Sequence, residues 1–136
     1  MKQPILLDTC AVIFSANEQL KGSAQSSLDQ ADENGIDIYV SPITAWEIGI
    51  LATRGRLVLA TSPEAWFDRV LRNGARLAAM GPDILISSSF LPDCALRDPA
   101  DRIMAATARA NGYRLMTRDG PLLDYGSQGH LNVIAC

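Results

Sequence analysis

Asp8, Glu47, Asp101 and Asp119 come from four separate segments of the chain, with Asp98 as a fifth acid beside them. Asp8 follows the apolar run Ile5-Leu6-Leu7, and Asp119 follows Arg114-Leu115-Met116-Thr117. Each run suits a strand buried on both faces. An acid at the carboxyl end of a parallel strand lies where open α/β sheets bind ligands. Glu47 stands four residues after Ile43 and three before Ile50, so it shares a helical face with apolar neighbours. Asp98 and Asp101 open another helix, in Asp98-Pro99-Ala100-Asp101. Carboxylates gathered in one cleft repel and raise one another's pKa. A divalent cation removes that conflict, and all-oxygen ligation suits Mg²⁺ or Mn²⁺. The matching chemistry is phosphoryl transfer, one metal activating a water and a second stabilising the leaving oxygen.

Each acid also has a plainer role. Asp8 or Thr9 can cap the helix that follows. Glu47 can sit at the flank of its helix and reach solvent. Asp98 precedes Pro99 as an N-cap precedes a first-turn proline, and Asp101, three residues on, is in a capping-box-like position. Both acids suit the positive end of a helix dipole.

Other chemistries find little support. His130 is the only histidine, and Cys10, Cys94 and Cys136 are far apart with no Cys-x-x-Cys. A structural zinc site, a disulfide framework and a cysteine hydrolase are set aside. Cys10 reads as a small packed residue. The net charge is −3, yet ten of the twelve basic residues are arginine, and Arg54, Arg56, Arg69, Arg72 and Arg76 fall in one block. That block is either a basic rim suited to phosphates or a set of solvated helix faces.

The elements that must position the acids alternate between strand and helix. At 136 residues and 48% hydrophobic, the chain is expected to be one domain, 1–136, able to bury its own core. No apolar run approaches the roughly 20 residues that span a bilayer. Met1-Lys2-Gln3-Pro4 leads straight into the first strand, with no room for a signal peptide, so a cytoplasmic protein is expected. A short helix follows over 9–15. A second opens at Ser23 and ends at Asn34-Gly35. Ile36-Asp37-Ile38-Tyr39-Val40 alternates as a strand, and Ser41-Pro42 starts a helix with Ile43, Trp46, Ile50 and Leu51 as its apolar stripe, stopping near Gly55. Ser62-Pro63 starts another, striped by Trp66, Phe67, Val70 and Leu71 and ending by Asn73-Gly74. Leu77 to Met80 reads as a short strand, and Pro82 opens a helix or turn. The helix after Asp98 runs to Asn111-Gly112 with an alanine-rich face able to pack close to a sheet. Pro121 to Tyr125 is a turn or short helix, and Asn132 to Ala135 a final strand. Such alternation implies a parallel sheet with right-handed crossovers, an α/β fold.

In this order the motifs Leu7-Asp8-Thr9, Ser41-Pro42-x-Thr44-x-x-Glu47, Asp98-Pro99-Ala100-Asp101-Arg102-Ile103 with Ala105-Ala106, and Thr117-Arg118-Asp119 with Asp124-Tyr125-Gly126 resemble those of PIN-domain proteins. The likeness is specifically to VapC-type toxins of bacterial toxin–antitoxin pairs, and it covers essentially the whole chain. The resemblance implies a three-layer α/β/α sandwich with a central parallel sheet of order 3-2-1-4-5. It implies a metal-dependent endoribonuclease in which Asp8, Glu47, Asp101 and Asp119 hold Mg²⁺ or Mn²⁺, with Thr9, Thr117 and Asp98 in support. It also implies a homodimer and a VapB-type antitoxin. An arginine or lysine from that antitoxin can block an acidic pocket, and the apolar helices around Trp46 and Trp66 can form its groove, or can be core.

Two rival classes share the acid after the first strand. A haloacid-dehalogenase-like phosphatase needs a second acid two residues later, where this chain has Cys10. A receiver-like signalling domain needs a lysine near the last strands, but the lysines are Lys2 and Lys21.

Overall fold

The computed structural model describes residues 3–136; Met1 and Lys2, the start of the expected leaderless N-terminus, lie outside the described residues. The elements are β1 (Ile5–Leu7), α1 (Thr9–Ala16), α2 (Gly22–Glu33), β2 (Ile38–Val40), α3 (Pro42–Thr53), α4 (Pro63–Arg72), β3 (Arg76–Leu77), α5 (Pro82–Ser87), α6 (Pro99–Asn111), β4 (Arg114–Thr117), α7 (Gly120–Ser127) and β5 (Asn132–Ala135). The five strands are all parallel, in the order β3-β2-β1-β4-β5. This is the expected α/β architecture, with β1 in the middle.

Period-two alternation along β1 divides the core. Ile5 and Leu7 join Val40 and Met116 in an apolar cluster with Ala11 and Val12 of α1, Leu28 of α2, Ile48 of α3 and Trp66 of α4. Leu6 joins Leu115 in a second cluster with Met104, Ala105 and Ala108 of α6 and Leu122 and Tyr125 of α7. Helices therefore cover both faces. The small residues of α6 pack against the sheet as expected, with Ala105 fully buried.

Caps set the helix starts. Ser41 accepts from the Ile43 amide, Ser62 from Ala65 and Asp98 from Ala100. Each is followed by a proline, whose missing N–H costs nothing in the first turn. α6 ends where Gly112 adopts φ 66, a left-handed conformation that glycine enters without strain.

Several boundaries differ from expectation. α2 begins at Gly22 rather than Ser23; Lys21 precedes it and makes no side-chain cap. β2 begins at Ile38, and β3 is only Arg76–Leu77 instead of Leu77 to Met80. β3 is an edge strand with both side chains exposed, so burial does not extend it. The stretch after Gly120 is two turns of helix. The stripe assigned to α3 is also wrong. Trp46 is 57% exposed, while Thr44 and Ile48 are the buried positions. α3 is apolar nearly all round, so spacing did not single out one face. Among the described residues, no helix is long and apolar enough to cross a membrane.

α7 lies so close to β5 that position 126 has no room for a side chain. A Cβ added at Gly126 would fall 2.8 Å from both Val133 methyl carbons. Gly126→Ala is expected to destabilise by about 1–3 kcal/mol through overpacking. Val133→Ala in the same chain is expected to restore most of the loss. Thermal melts of the three variants check this; no loss in Gly126→Ala would show that α7 slides freely on the sheet.

Candidate active site

The site is built from the pairing of β1 with β4. Leu7 is in register with Met116, and the Asp8 amide continues the ladder by donating to the Met116 carbonyl at 2.9 Å. That places Asp8 beside Thr117 at the carboxyl edge. Thr117 Oγ1 donates to Asp8 Oδ2 at 2.7 Å, and the Thr9 amide donates to Asp8 Oδ1 at 2.8 Å. Thr117 in turn accepts from the Asp119 amide at 3.0 Å. Asp119 Oδ2 accepts from the Leu122 amide at 3.1 Å. Asp8 and Asp119 thus cap α1 and α7, and the positive ends of two helix dipoles face the same edge. The capping role of Asp8 and its place in an acidic cluster hold together.

Glu47 projects from α3 towards α1. Its Oε1 accepts from Thr9 Oγ1 at 2.6 Å, and Thr9 Oγ1 lies 3.0 Å from Thr44 Oγ1. Glu47 is therefore tied to the neighbour of Asp8 rather than released to solvent. Asp98 is exposed and caps α6, accepting from the Ala100 amide at 2.8 Å and the Asp101 amide at 3.4 Å. The reciprocal half of a capping box is missing. Among the described residues, no hydrogen bond reaches the Asp101 carboxylate, which stands half-buried in the first turn of α6.

The acids feel one another. Burial pushes the Asp8 carboxyl up, opposed by the bonds from Thr117 and Thr9, with Asp119 and Asp98 adding to the rise. Burial also raises Glu47, opposed by the Thr9 hydroxyl and reinforced by Asp8, Asp98 and Asp119. Asp101 is moved furthest, to about 8, by burial and then by Asp119, Asp98, Asp8 and Glu47. Among the described residues, none of these acids pairs with a lysine or arginine. No three His, Cys, Asp or Glu side chains among those residues converge into a ready metal cage. The donor set itself fits a hard divalent cation: all oxygen, mutually repelling and, among the described residues, without an ion-pair partner.

Comparison with known proteins then decides the family. The PIN-domain profile matches residues 5–126. The chain belongs to the PIN-domain family. It is 32% identical over 117 residues to Ribonuclease VapC22 of Mycobacterium tuberculosis, spanning 85% of this chain and 86% of that protein. Its fold is similar to VapBC2 from Rickettsia felis bound to a promoter DNA fragment, with TM-score 0.71, 14% identity and 98% of both chains covered. It is also similar to DNA-bound VapBC from Salmonella typhimurium, with TM-score 0.66, 17% identity and 98% of both chains covered.

Within this PIN domain two positions went unassigned in the sequence. Thr44 is fully buried beside Thr9, and its place in Ser41-Pro42-x-Thr44-x-x-Glu47 is the only signal. Arg102 turns away from the acids. Its guanidinium donates to the Ser88 carbonyl at 2.9 Å and the Leu96 carbonyl at 2.7 Å, clamping the loop that leads into Asp98. Cys10 is exposed, not packed, because it occupies the outer face of the first turn of α1. The arginine block is not gathered around the acids. Arg76 opens β3 and pairs with Asp37 at 3.1 Å before β2, at the amino edge of the sheet. Arg54, Arg56, Arg69 and Arg72 are exposed.

A carboxyl raised in the folded state favours the protonated form. The stability this contributes is complete below the ordinary value of 3.8 and is lost as pH rises through about 8. In chelator, the melting temperature is therefore expected to fall as pH rises from about 4 to about 8. Asp101→Asn is expected to flatten that fall. An unchanged slope in the variant would show that Asp101 does not carry the repulsion.

Proposed function

We propose that the chain, as a single PIN-like domain over 1–136, is a VapC-type endoribonuclease toxin. The observation that carries this is that Asp8, Glu47 and Asp119 all act on the carboxyl of Asp101, while among the described residues none of the four pairs with a lysine or arginine. On this reading those four hold Mg²⁺ or Mn²⁺. The bound ion supplies Lewis-acid charge and an activated water for hydrolysis of an RNA phosphodiester. The chain's own residues prepare the pocket. Thr117 and the Thr9 amide fix both oxygens of Asp8, and Thr9 fixes one oxygen of Glu47. Among the described residues Asp101 receives no such bond, and its carboxylate would be free to help hold the ion. Asp98 supports the site by holding the start of α6, and Thr117 links Asp8 to Asp119. The phosphatase alternative lacks its second acid at Cys10.

The partners in this reading are an RNA substrate, a VapB-type antitoxin and a second copy of the chain. The solved VapBC neighbours support the antitoxin. Of the two tryptophans expected to line its groove, Trp66 is buried in the core and only Trp46 is free. On the same helix as Trp46, Ala45, Gly49 and Ala52 join Pro63 and Phe67 in lining a groove between α3 and α4, with Thr53, Glu64 and Asp68 as its polar side, which suits an amphipathic helix with a basic face. Leu85, Ile86 and Phe90 are exposed and available to a second copy.

Purified protein is expected to cleave RNA with Mg²⁺ or Mn²⁺ and to stop in chelator. Asp101→Asn is expected to fold and be inactive. Asp98→Asn should retain activity and stability, while Asp98→Ala loses ~1 kcal/mol as a lost cap. Cleavage assays and melts on the same preparations check this. Chelator-resistant cleavage, or full activity in Asp101→Asn, would overturn the metal-site reading.

For the antitoxin, Trp46→Asp is expected to weaken binding at least ~10-fold while leaving RNA cleavage intact. Titration calorimetry with the cognate antitoxin measures it. Unchanged affinity would move the docking surface elsewhere.

A further inference from the structure

Three hydroxyls lie among the acids, and one of them touches no carboxylate. Thr44 is fully buried in α3. Helical hydroxyls usually bond back to a carbonyl of the preceding turn. Thr53, Ser87 and Thr107 do so here. The Thr44 hydroxyl instead crosses to α1 and meets Thr9 Oγ1 at 3.0 Å. Thr9 has a single hydroxyl proton, and the 2.6 Å bond to Glu47 Oε1 uses it. The contact between the threonines is then satisfied in only one direction: Thr44 donates and Thr9 accepts.

We propose that Thr44 is a positioning residue, whose hydroxyl orients Thr9 so that Thr9 in turn holds Glu47 towards Asp8. The order is Thr44 O–H to Thr9 O–H to the Glu47 carboxylate. A buried Thr9 without this donor could turn its own proton to another acceptor, and Glu47 would lose the bond that keeps it from solvent. Its consequence for metal binding and cleavage rests on the function proposed above; the hydrogen-bond order does not.

The first test is a stability cycle between Thr44→Val and Glu47→Ala, run in chains with Thr9 and with Thr9→Ala. Valine keeps the β-branched shape and replaces the hydroxyl with a methyl group that can neither donate nor accept. With Thr9 present, the melting shifts are expected to be non-additive, Thr44→Val losing about half its effect once Glu47 is gone. In Thr9→Ala the coupling is expected to vanish. Additive shifts with Thr9 present, or coupling that survives without it, overturn the proposal. If Thr44→Val does not fold, the wild-type chain decides by NMR. A slowly exchanging Thr9 hydroxyl proton should couple to the Glu47 carboxyl carbon, and the Thr44 hydroxyl proton should not; the reverse overturns it.

The second test is Mn²⁺ affinity, expected to fall at least ~10-fold in folded Thr44→Val and to be restored in Thr44→Ser. A purely structural threonine would lower the melting temperature and leave affinity unchanged, and that outcome also overturns the proposal. A wild-type protein that neither binds Mn²⁺ nor cleaves RNA would refute the nuclease reading, while the stability cycle still decides the hydrogen-bond order.

Discussion

The β1–β4 pairing is the interaction on which the site depends. One ladder bond, from the Asp8 amide to the Met116 carbonyl, carries the register past the end of β1. It sets Asp8 against Thr117, and through Thr117 against Asp119. Because side chains alternate along a strand, a slip of one residue would exchange the two core faces and take Asp8 out of register with Thr117. The buried residues oppose such a slip. Ile5 and Leu6 are completely buried on opposite faces, so each face has its own apolar set to satisfy. Packing of the core and geometry of the pocket are therefore one constraint.

The same edge carries an electrostatic cost that the fold offsets with backbone dipoles. Asp8, Asp98 and Asp119 each cap a helix, and Asp101 lies in a first turn. Helix N-termini supply partial positive charge without a side chain. Arginine is kept out by structure as well as by sequence. Arg102 follows Asp101 directly, yet its guanidinium is held by loop carbonyls on the other side. Arg118 follows Thr117, yet it stacks over the Phe14 ring at 3.8 Å. Both cations are spoken for nearby, and the acids remain without an ion-pair partner among the described residues.

Much of this was legible in the sequence because it depends on local signals. The strands β1 and β4, the caps at Ser41, Ser62 and Asp98, and the glycine end of α6 follow from apolar runs and cap residues. The parallel sheet followed from alternation, but its strand order came from resemblance to the PIN family and not from residue spacing. The acids could be nominated from position, since two end strands and one opens a helix. Their hydrogen-bond partners could not. Whether Thr44 faces Thr9 depends on how α3 is rotated against α1, and α3 is too evenly apolar to declare its face. The same ambiguity misplaced Trp46. Cys10 was judged by residue type, but its burial is decided by which side of a two-turn helix it occupies.

Threonine, rather than lysine or arginine, orients the carboxylates, and this choice follows from what the pocket must keep. A buried carboxylate without a partner is costly, and an arginine would relieve that cost by two bonds and a full charge. It would also neutralise the negative field at this edge. A hydroxyl donates one proton, fixes a direction and leaves the net charge unchanged. Thr117 does this for Asp8, and Thr9 does it for Glu47. Burial strengthens the Thr117 bond to Asp8, which lies in the low-dielectric interior. The acids are thus held in place while the cost of charging them, at Asp101 set first by burial and then by the neighbouring acids, is left unrelieved. A site arranged this way leaves its carboxylates without a compensating charge, and that cost is what a bound cation would remove.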